Sequence, residues 1–368
     1  MVQHFLGGPT ASRLRKALWV ACITSLLLTS GFAGGKTSNK SNSVELPPDL
    51  LLEGGRKLNF ERVLSSEKDV RKPGFWKKVL AVVAGEPEYL PMTRPYSVAV
   101  DSRGRVIVTD PGANGIHIFD VAEHNYKFIE RKDARKDPML EPQCVAVDSK
   151  DDIYVTDSKA GKVFVFAPSG KYKGVFGSLK GGEGYFKRPT GIAIEPETNQ
   201  IYVTDTLRDR VYVLDSKGSV LKTIGKHGDG NGEFNYPTEL LIRHNILAVV
   251  DAMNFRVQIF DRSGEFQGAI GNLGDNTGSV FRPKGIAIDS EDHLYMVEGL
   301  RGTVQVFDRQ GELLYTFGKR GTQLGDFQLP TGLFIDKNDR IYVVDSFNKR
   351  IQVFQYHGLK TSAEGGKQ

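Results

Sequence analysis

The chain has 368 residues, 49 Lys and Arg against 44 Asp and Glu for a net charge of +5, and 39% hydrophobic residues. Those proportions exclude a wholly disordered chain, and a mean hydropathy of -0.31 excludes a multi-span membrane protein. The 41 glycines exceed the usual share of ~7% and point to many turns.

The first element is an export leader. Arg13, Arg15 and Lys16 precede an apolar run from Ala17 to Leu28, small residues follow, and Gly31 and Ala33 flank a cut after Ala33. The run is shorter than the ~20 residues that span a bilayer. The segment 1–33 therefore reads as a signal peptide, and the membrane is met only through it if it is not cleaved. Loss of its three basic charges takes the net charge from +5 to +2, too weak to point to nucleic acid. Cys22 leaves with it, so Cys144 has no disulfide partner, and no Cys-x-x-Cys pair exists for zinc or haem. Residues 34–56, rich in Gly, Ser, Asn and Lys before a Pro pair, read as a flexible linker.

Residues 57–94 carry two elements. Lys57 to Leu64 partly alternates, with Leu58, Phe60 and Leu64 on one parity, and reads as a strand. Trp76, Val79, Leu80 and Val83 fall at helical spacing and predict a short helix over 74–84.

Six copies of one unit follow over 95–357. Pro95, Pro142, Pro189, Pro237, Pro283 and Pro330 recur at a near-constant step, which signals a repeat architecture. After each proline comes a short apolar run, then a turn. A second run ends on an acid: Asp110, Asp157, Asp205, Asp251, Glu298 or Asp345. A third and fourth run complete the unit, although the sixth stops after its third. The runs are short, rich in Val, Ile, Tyr and Phe, and bounded by Gly, Asp or Pro, so they read as strands. Four antiparallel strands per unit make one blade, and the expected fold is all-β, a six-bladed β-propeller. An open edge on blade six would invite aggregation. The N-terminal extension is expected to supply the missing strand, with 57–64 preferred over 77–83. Residues 358–368 read as a disordered tail.

The units resemble the NHL repeat. The fourth gives Gly232-Glu-Phe234-Asn-Tyr-Pro237, then Asp251-Ala-Met-Asn254-Phe-Arg256-Val-Gln-Ile-Phe260; the sixth gives Phe327-Gln-Leu-Pro330 and Asn348-Lys-Arg350-Ile-Gln-Val-Phe354. The resemblance covers 95–354. It implies a propeller and, with the leader, is similar to exported bacterial members that carry an N-terminal extension.

Loops from fourth to first strand share one face, here the upper, with loops from second to third strand. Unequal loops on a rigid ring are the usual seat of function. The six acids allow two readings: a cation-binding ring, or ion pairs across each hairpin with Arg210, Arg256, Arg350 and Lys162. Asp110 and Glu298 lack such a partner five residues on, which makes them binding candidates, with Arg301 near enough to pair Glu298. The channel mouth, lined by the residues after each proline, offers Glu239 and Lys284, expected to pair across the pore and orient a polar ligand. Two such groups do not make a calcium or a catalytic zinc site. The histidines sit at unlike places, and Cys144 reads as a buried, inert thiol. Arg94, Tyr96, Arg188, Tyr236, Phe255, Arg282 and Phe347 complete the binding set, since Arg and aromatics are enriched at hot spots. The Phe near each proline (Phe186, Phe234, Phe281, Phe327) reads as blade packing.

The expected function is a non-catalytic scaffold outside the cytoplasm. As a monomer without cofactor, it presents its upper face to an envelope protein or glycan and not to nucleic acid. Two alternatives rest on analogy of fold. One is a metal-assisted lyase or lactonase, as in peptide-amidating lyases of NHL type and paraoxonase-like propellers. The other is an accessory subunit of a membrane-bound redox or export complex. The exported chain is expected to begin at Gly34; the intact mass of the mature protein checks this, and a mass retaining the leader overturns it.

Overall fold

Branched and aromatic side chains suit a pleated, doubly covered surface, and the apolar runs form strands throughout. The computed structural model describes residues 46–71, 89–131, 133–177, 185–243, 245–274 and 278–359. The expected leader, the helix over 74–84 and nearly all of the tail lie outside the described residues.

Blade 1 comprises Ser97–Val100, Val106–Asp110, Gly115–Asp120 and Asn125–Glu130, and blade 2 comprises Pro142–Val147, Ile153–Asp157, Lys162–Phe166 and Tyr172–Phe176. Blade 3 comprises Pro189–Ile194, Ile201–Asp205, Arg210–Leu214 and Val220–Ile224, and blade 4 comprises Pro237–Arg243, Ile246–Asp251, Arg256–Phe260 and Phe266–Ile270. Blade 5 comprises Pro283–Ile288, Leu294–Glu298, Thr303–Phe307 and Leu313–Phe317. In each, sequential strands pair antiparallel. First strands touch the first strands of both neighbours, which closes a ring around a channel. The second strands are buried along almost their whole length because a blade covers each side. The buried apolar residues fall into six clusters, one at each interface between neighbouring blades.

Blade 6 mixes the two ends of the chain. Leu333–Ile335, Arg340–Asp345 and Arg350–His357 come from the C-terminal side, and Lys57–Leu64 adds the fourth strand, antiparallel, from Lys57 opposite His357 to Leu64 opposite Ile351. Leu50–Leu51 extends the sheet by a further short strand, so the expected linker is already ordered there. Leu58 packs into the cluster between blades 5 and 6, and Leu64 into that between blades 6 and 1. One strand thus anchors both interfaces of the closing blade.

The six acids at the ends of the second strands are all fully buried. Each accepts backbone N–H groups from the loop that precedes its blade's proline: Thr93 and Arg94 donate to Asp110, Leu140 and Glu141 to Asp157, Lys187 and Arg188 to Asp205, Asn235 to Asp251, Phe281 and Arg282 to Glu298, and Gln328 to Asp345, at 2.6 to 3.0 Å. Such charge-assisted bonds satisfy loop amides that the sheet leaves unpaired. The acids are therefore straps between loop and strand and not a cation-binding ring. Burial alone lifts the Asp110 carboxyl, but the His117 hydrogen bond and the Thr93 and Arg94 amides more than offset it and hold it below its ordinary value.

The hairpin pairing expected from spacing needs correcting in two blades. Arg256 and Arg350 do bond Asp251 and Asp345 at 2.9 and 2.7 Å. Asp205, however, meets Arg208, and Lys162 pairs with Asp137 in the preceding loop. In blades 4 and 6 the strap has a fixed set of helpers: Asn254, Arg256 and Gln258 around Asp251, and Asn348, Arg350 and Gln352 around Asp345. The same Arg and Gln side chains donate to carbonyls of the Gly-rich loop, which explains the recurrence of those residue types.

Phe186, Phe234 and Phe327 are buried, but Phe281 is 45% exposed. The first three stand three residues before their prolines and Phe281 only two, so Val280 fills the buried place in blade 5. Glycine is required beneath these side chains: a Cβ on Gly225 or Gly318, both at positive φ, would sit 2.3 Å from the ring of Phe234 or Phe327.

Two stability outcomes follow. A chain lacking 46–64 is expected to lose cooperative thermal unfolding, while Leu64→Ala should cost about 2–5 kcal/mol in denaturant titrations. Asp157→Ala, which strips the strap from four amides, should cost about 2–4 kcal/mol; a change within 0.5 kcal/mol would remove the strap role.

Candidate functional site

In most blades the residues after the proline do not continue the ladder. In blades 2 to 5 the pairing skips from the proline to the residue three further on, a bulge that leaves two residues unpaired at the channel. Bulges re-aim side chains, and here they aim them into the pore. The second bulge position is Gly191 in blade 3 and Gly285 in blade 5, and Gly332 holds the matching place in blade 6. A Cβ there would meet the next blade's backbone at 2.5 to 2.8 Å. Blades 1, 2 and 4 carry Ser97, Cys144 and Glu239 instead.

The strap holds the residue just before the proline in blades 1, 2, 3 and 5, and the residue preceding it in blades 4 and 6. Around the ring the position just before the proline reads Arg94, Glu141, Arg188, Tyr236, Arg282 and Leu329. The three arginines fall on alternate blades, 1, 3 and 5. With Lys284 they line a cavity of ≈ 340 Å³ at the channel mouth, together with Tyr96, Gln143, Thr331 and Phe347. Glu141 is the single carboxylate among its lining residues. Among the described residues, none of Arg94, Arg188, Arg282 and Lys284 makes an ion pair or a side-chain hydrogen bond. Elsewhere on the face, Arg208, Arg256 and Arg350 are engaged by strap acids. Phe347 is 59% exposed at the rim.

Below the mouth lies a second cavity of ≈ 190 Å³ with mostly aliphatic walls, and Glu239 is the one charged residue lining it. Glu239 does not pair with Lys284 within ion-pair distance. Its Oε2 accepts the Cys144 thiol at 3.0 Å, and its Oε1 the Leu240 N–H at 3.2 Å. Burial in the channel wall lifts the Glu239 carboxyl to about 7, although Cys144, the Leu240 amide and Lys284 pull it back. Burial, then the nearby Glu239, push the Cys144 thiol well up, so it stays protonated and unreactive. Burial and the repulsion of Arg282 lower Lys284.

Six of the sequence candidates thus converge at the mouth: Arg94, Tyr96, Arg188, Arg282, Lys284 and Phe347. Asp110 and Glu298 do not join them, because both are consumed as straps; what looked like a missing cation partner is replaced by backbone amides, and for Asp110 also by His117 at 3.2 Å. Arg301 bonds the Gly274 carbonyl. Tyr236 and Phe255 stand outside the cavity lining; the Phe255 ring lies 6.0 Å from that of Phe281. Both Tyr236 and Phe255 hold left-handed backbone, φ 59° and 57°, which is costly for bulky side chains. Sequence reading missed Glu141. The position before the proline was the available signal, since Glu141 occupies the place held by the three arginines. His117, His227 and His293 bond Asp110, Asp209 and Asp289 at separate places, and no three His, Cys, Asp or Glu among the described residues gather to share a metal ion.

The NHL repeat model matches residues 139–166 and 327–354, and a 6-bladed beta-propeller family model matches residues 192–257. No curated protein matches the chain by sequence. Among solved structures, a protein of unknown function from Bacteroides thetaiotaomicron is similar with a TM-score of 0.58 and 17% identity, covering 84% of each chain. A catalytically inactive virginiamycin B lyase from Staphylococcus aureus, solved with quinupristin, is similar with a TM-score of 0.54 and 16% identity over 82% of this chain and 99% of that one. An auxiliary nutrient binding protein from Bacteroides thetaiotaomicron gives 0.55 and 11% over 73% and 70%. At such identities the likeness carries the fold, and neighbours that are enzymes and binding proteins share it. The chain is a six-bladed β-propeller, with NHL repeats matched at residues 139–166 and 327–354.

Proposed function

We propose that the ring is a non-catalytic binding scaffold that takes an anionic group of its ligand into the channel mouth. One observation carries this reading: Arg94, Arg188, Arg282 and Lys284 share one cavity, lined by a single carboxylate, and are unpaired among the described residues. Four like charges held together repel one another, and the arrangement is relieved when a ligand brings opposite charge. The guanidinium groups suit carboxylate or phosphate oxygens, and Tyr96 and Phe347 offer flat apolar surface beside them. The exposed Tyr236 and the Phe255–Phe281 ring pair widen the face toward a larger partner. The leader-like sequence at 1–33 supports a place outside the cytoplasm, where an acidic envelope glycan or protein is the partner.

Benzenetrisulfonate, an anion that does not titrate near neutral pH, is a suitable probe. Titration calorimetry is expected to show binding that weakens with added salt, and Arg94→Ala, Arg188→Ala and Arg282→Ala should each lose about tenfold in affinity. Their melting temperatures should stay unchanged, since all three side chains are exposed. A triple alanine variant that binds as tightly as the parent overturns the reading.

A further inference from the structure

Lys284 stands between two demands. It lines the mouth cavity with the three arginines, and it is the cation whose charge reaches Glu239 in the channel wall below. Glu239 has no ion pair among the described residues; it is half-buried, and its oxygens take a thiol and a backbone amide, both weak compensation for the water it has lost. The contact is permitted by the blade between: a side chain at Gly191 would stand 2.8 Å from the Glu239 Cα.

Resting on the anion-binding reading above, we propose that an anion entering the mouth is bound together with a proton, taken up by Glu239, with Lys284 shared between ligand and carboxylate. A bound anion and an ionised Glu239 repel across the channel wall, and both draw on the charge of Lys284. Protonation of Glu239 removes both conflicts and leaves Lys284 to the ligand. The balance is simple: the carboxylate gains one proton from water, the ligand keeps its charge, and no covalent bond changes.

The groups facing Glu239 set the working range. Blade 2 presents the Cys144 thiol and blade 1 the Tyr96 phenol, both pushed up by burial and so neutral near neutral pH, together with uncharged Ser97. Arg188 and Glu141 act on Tyr96 at longer range. Blades 3 and 6 bring Gly191, Thr331 and Gly332, which carry no charge. Blade 5 brings Lys284, itself acted on by Arg282 and Glu298. Glu239 and Lys284 are the groups here whose shifts run toward neutrality. Glu239, lifted by burial to about 7 in the free ring and further by a bound anion, favours binding when protonated. Affinity is then level below about pH 7 and falls above it, until the pKa of the bound state is passed. Lys284 also weakens binding if it loses its proton, so the test must separate the two.

The full chain is titrated with benzenetrisulfonate from about pH 6 to 9, in buffers of different ionisation enthalpy that report protons taken up. The expected result is a loss of up to tenfold in affinity per pH unit above neutrality, with up to one proton taken up per anion bound. Glu239→Gln should hold the acidic-side affinity across the range and abolish the uptake. Lys284→Arg, charged throughout, should keep the slope. A slope that survives Glu239→Gln, or disappears in Lys284→Arg, assigns it to Lys284 and overturns the proposal, as does pH-independent binding by the parent. Absence of binding at every pH defeats the anion-binding reading and this inference together, whereas binding without a Glu239-dependent slope defeats this inference alone.

Discussion

The ring depends on a buried carboxylate at the end of each second strand, bonded to the amides of the loop before the proline. A loop crossing from the outer strand of one blade to the inner strand of the next leaves donors that no ladder satisfies, and a buried unpaired amide is costly. A carboxyl side chain with several acceptor sites answers that need once per blade. Asp157 alone takes four amides, from Leu140, Glu141, Lys159 and Ala160. Asp251 and Asp345 use a different division of labour, with one amide each and an Asn, Arg and Gln that reach on into the Gly-rich loop. The strap is thus a constant, while its helpers vary with the loop that needs holding.

The same constraint makes the site. Because the strap fixes the backbone just before each proline, the side chain at that position is placed at the rim of the channel. Three of the six are arginines on alternate blades, which gives a near-threefold set of guanidinium groups around the mouth. In blades 2 to 5 the bulge that follows the proline turns two more residues toward the pore. Glycine stands at the second of these two places in blades 3, 5 and 6, where the next blade's backbone comes too close for a Cβ. Cys144 and Glu239 occupy the exceptions, so the pore has a polar, acidic side within an otherwise aliphatic wall. The cationic mouth and the acidic throat are two consequences of one repeat geometry filled with unequal residues.

Closure links this geometry to the chain's two ends. Lys57–Leu64 completes blade 6 beside Arg350–His357, and its Leu58 and Leu64 serve different interfaces. Ring integrity therefore requires a segment almost 300 residues away in sequence from its partner strand. Across the inner circle the sixth and first blades are tied directly, where the Thr331 hydroxyl donates to the Tyr96 carbonyl at 2.8 Å. Both residues line the mouth, so closing the ring and shaping the site are the same event.

The strands, their number per unit, the number of units and the closing segment could be read from residue order alone. Those follow from local residue preference, a fixed period and the arithmetic of one absent strand, all of which are properties of the chain read in order. The sequence also nominated the arginines and aromatics of the upper loops. Only the tertiary structure decided what each charged group does. Asp110 and Glu298 looked unpaired because backbone amides carry no residue signature, and every loop offers them alike. Lys162 looked committed to Asp157, yet Asp137 stands nearer once the loop folds back. Glu239 and Lys284 looked like a pair because they share a channel, but the bulge of blade 2 brings the Cys144 thiol to Glu239 and leaves Lys284 at the mouth. Ion pairing depends on distance in three dimensions and on what competes for each oxygen, and neither is written in the spacing of residues along the chain.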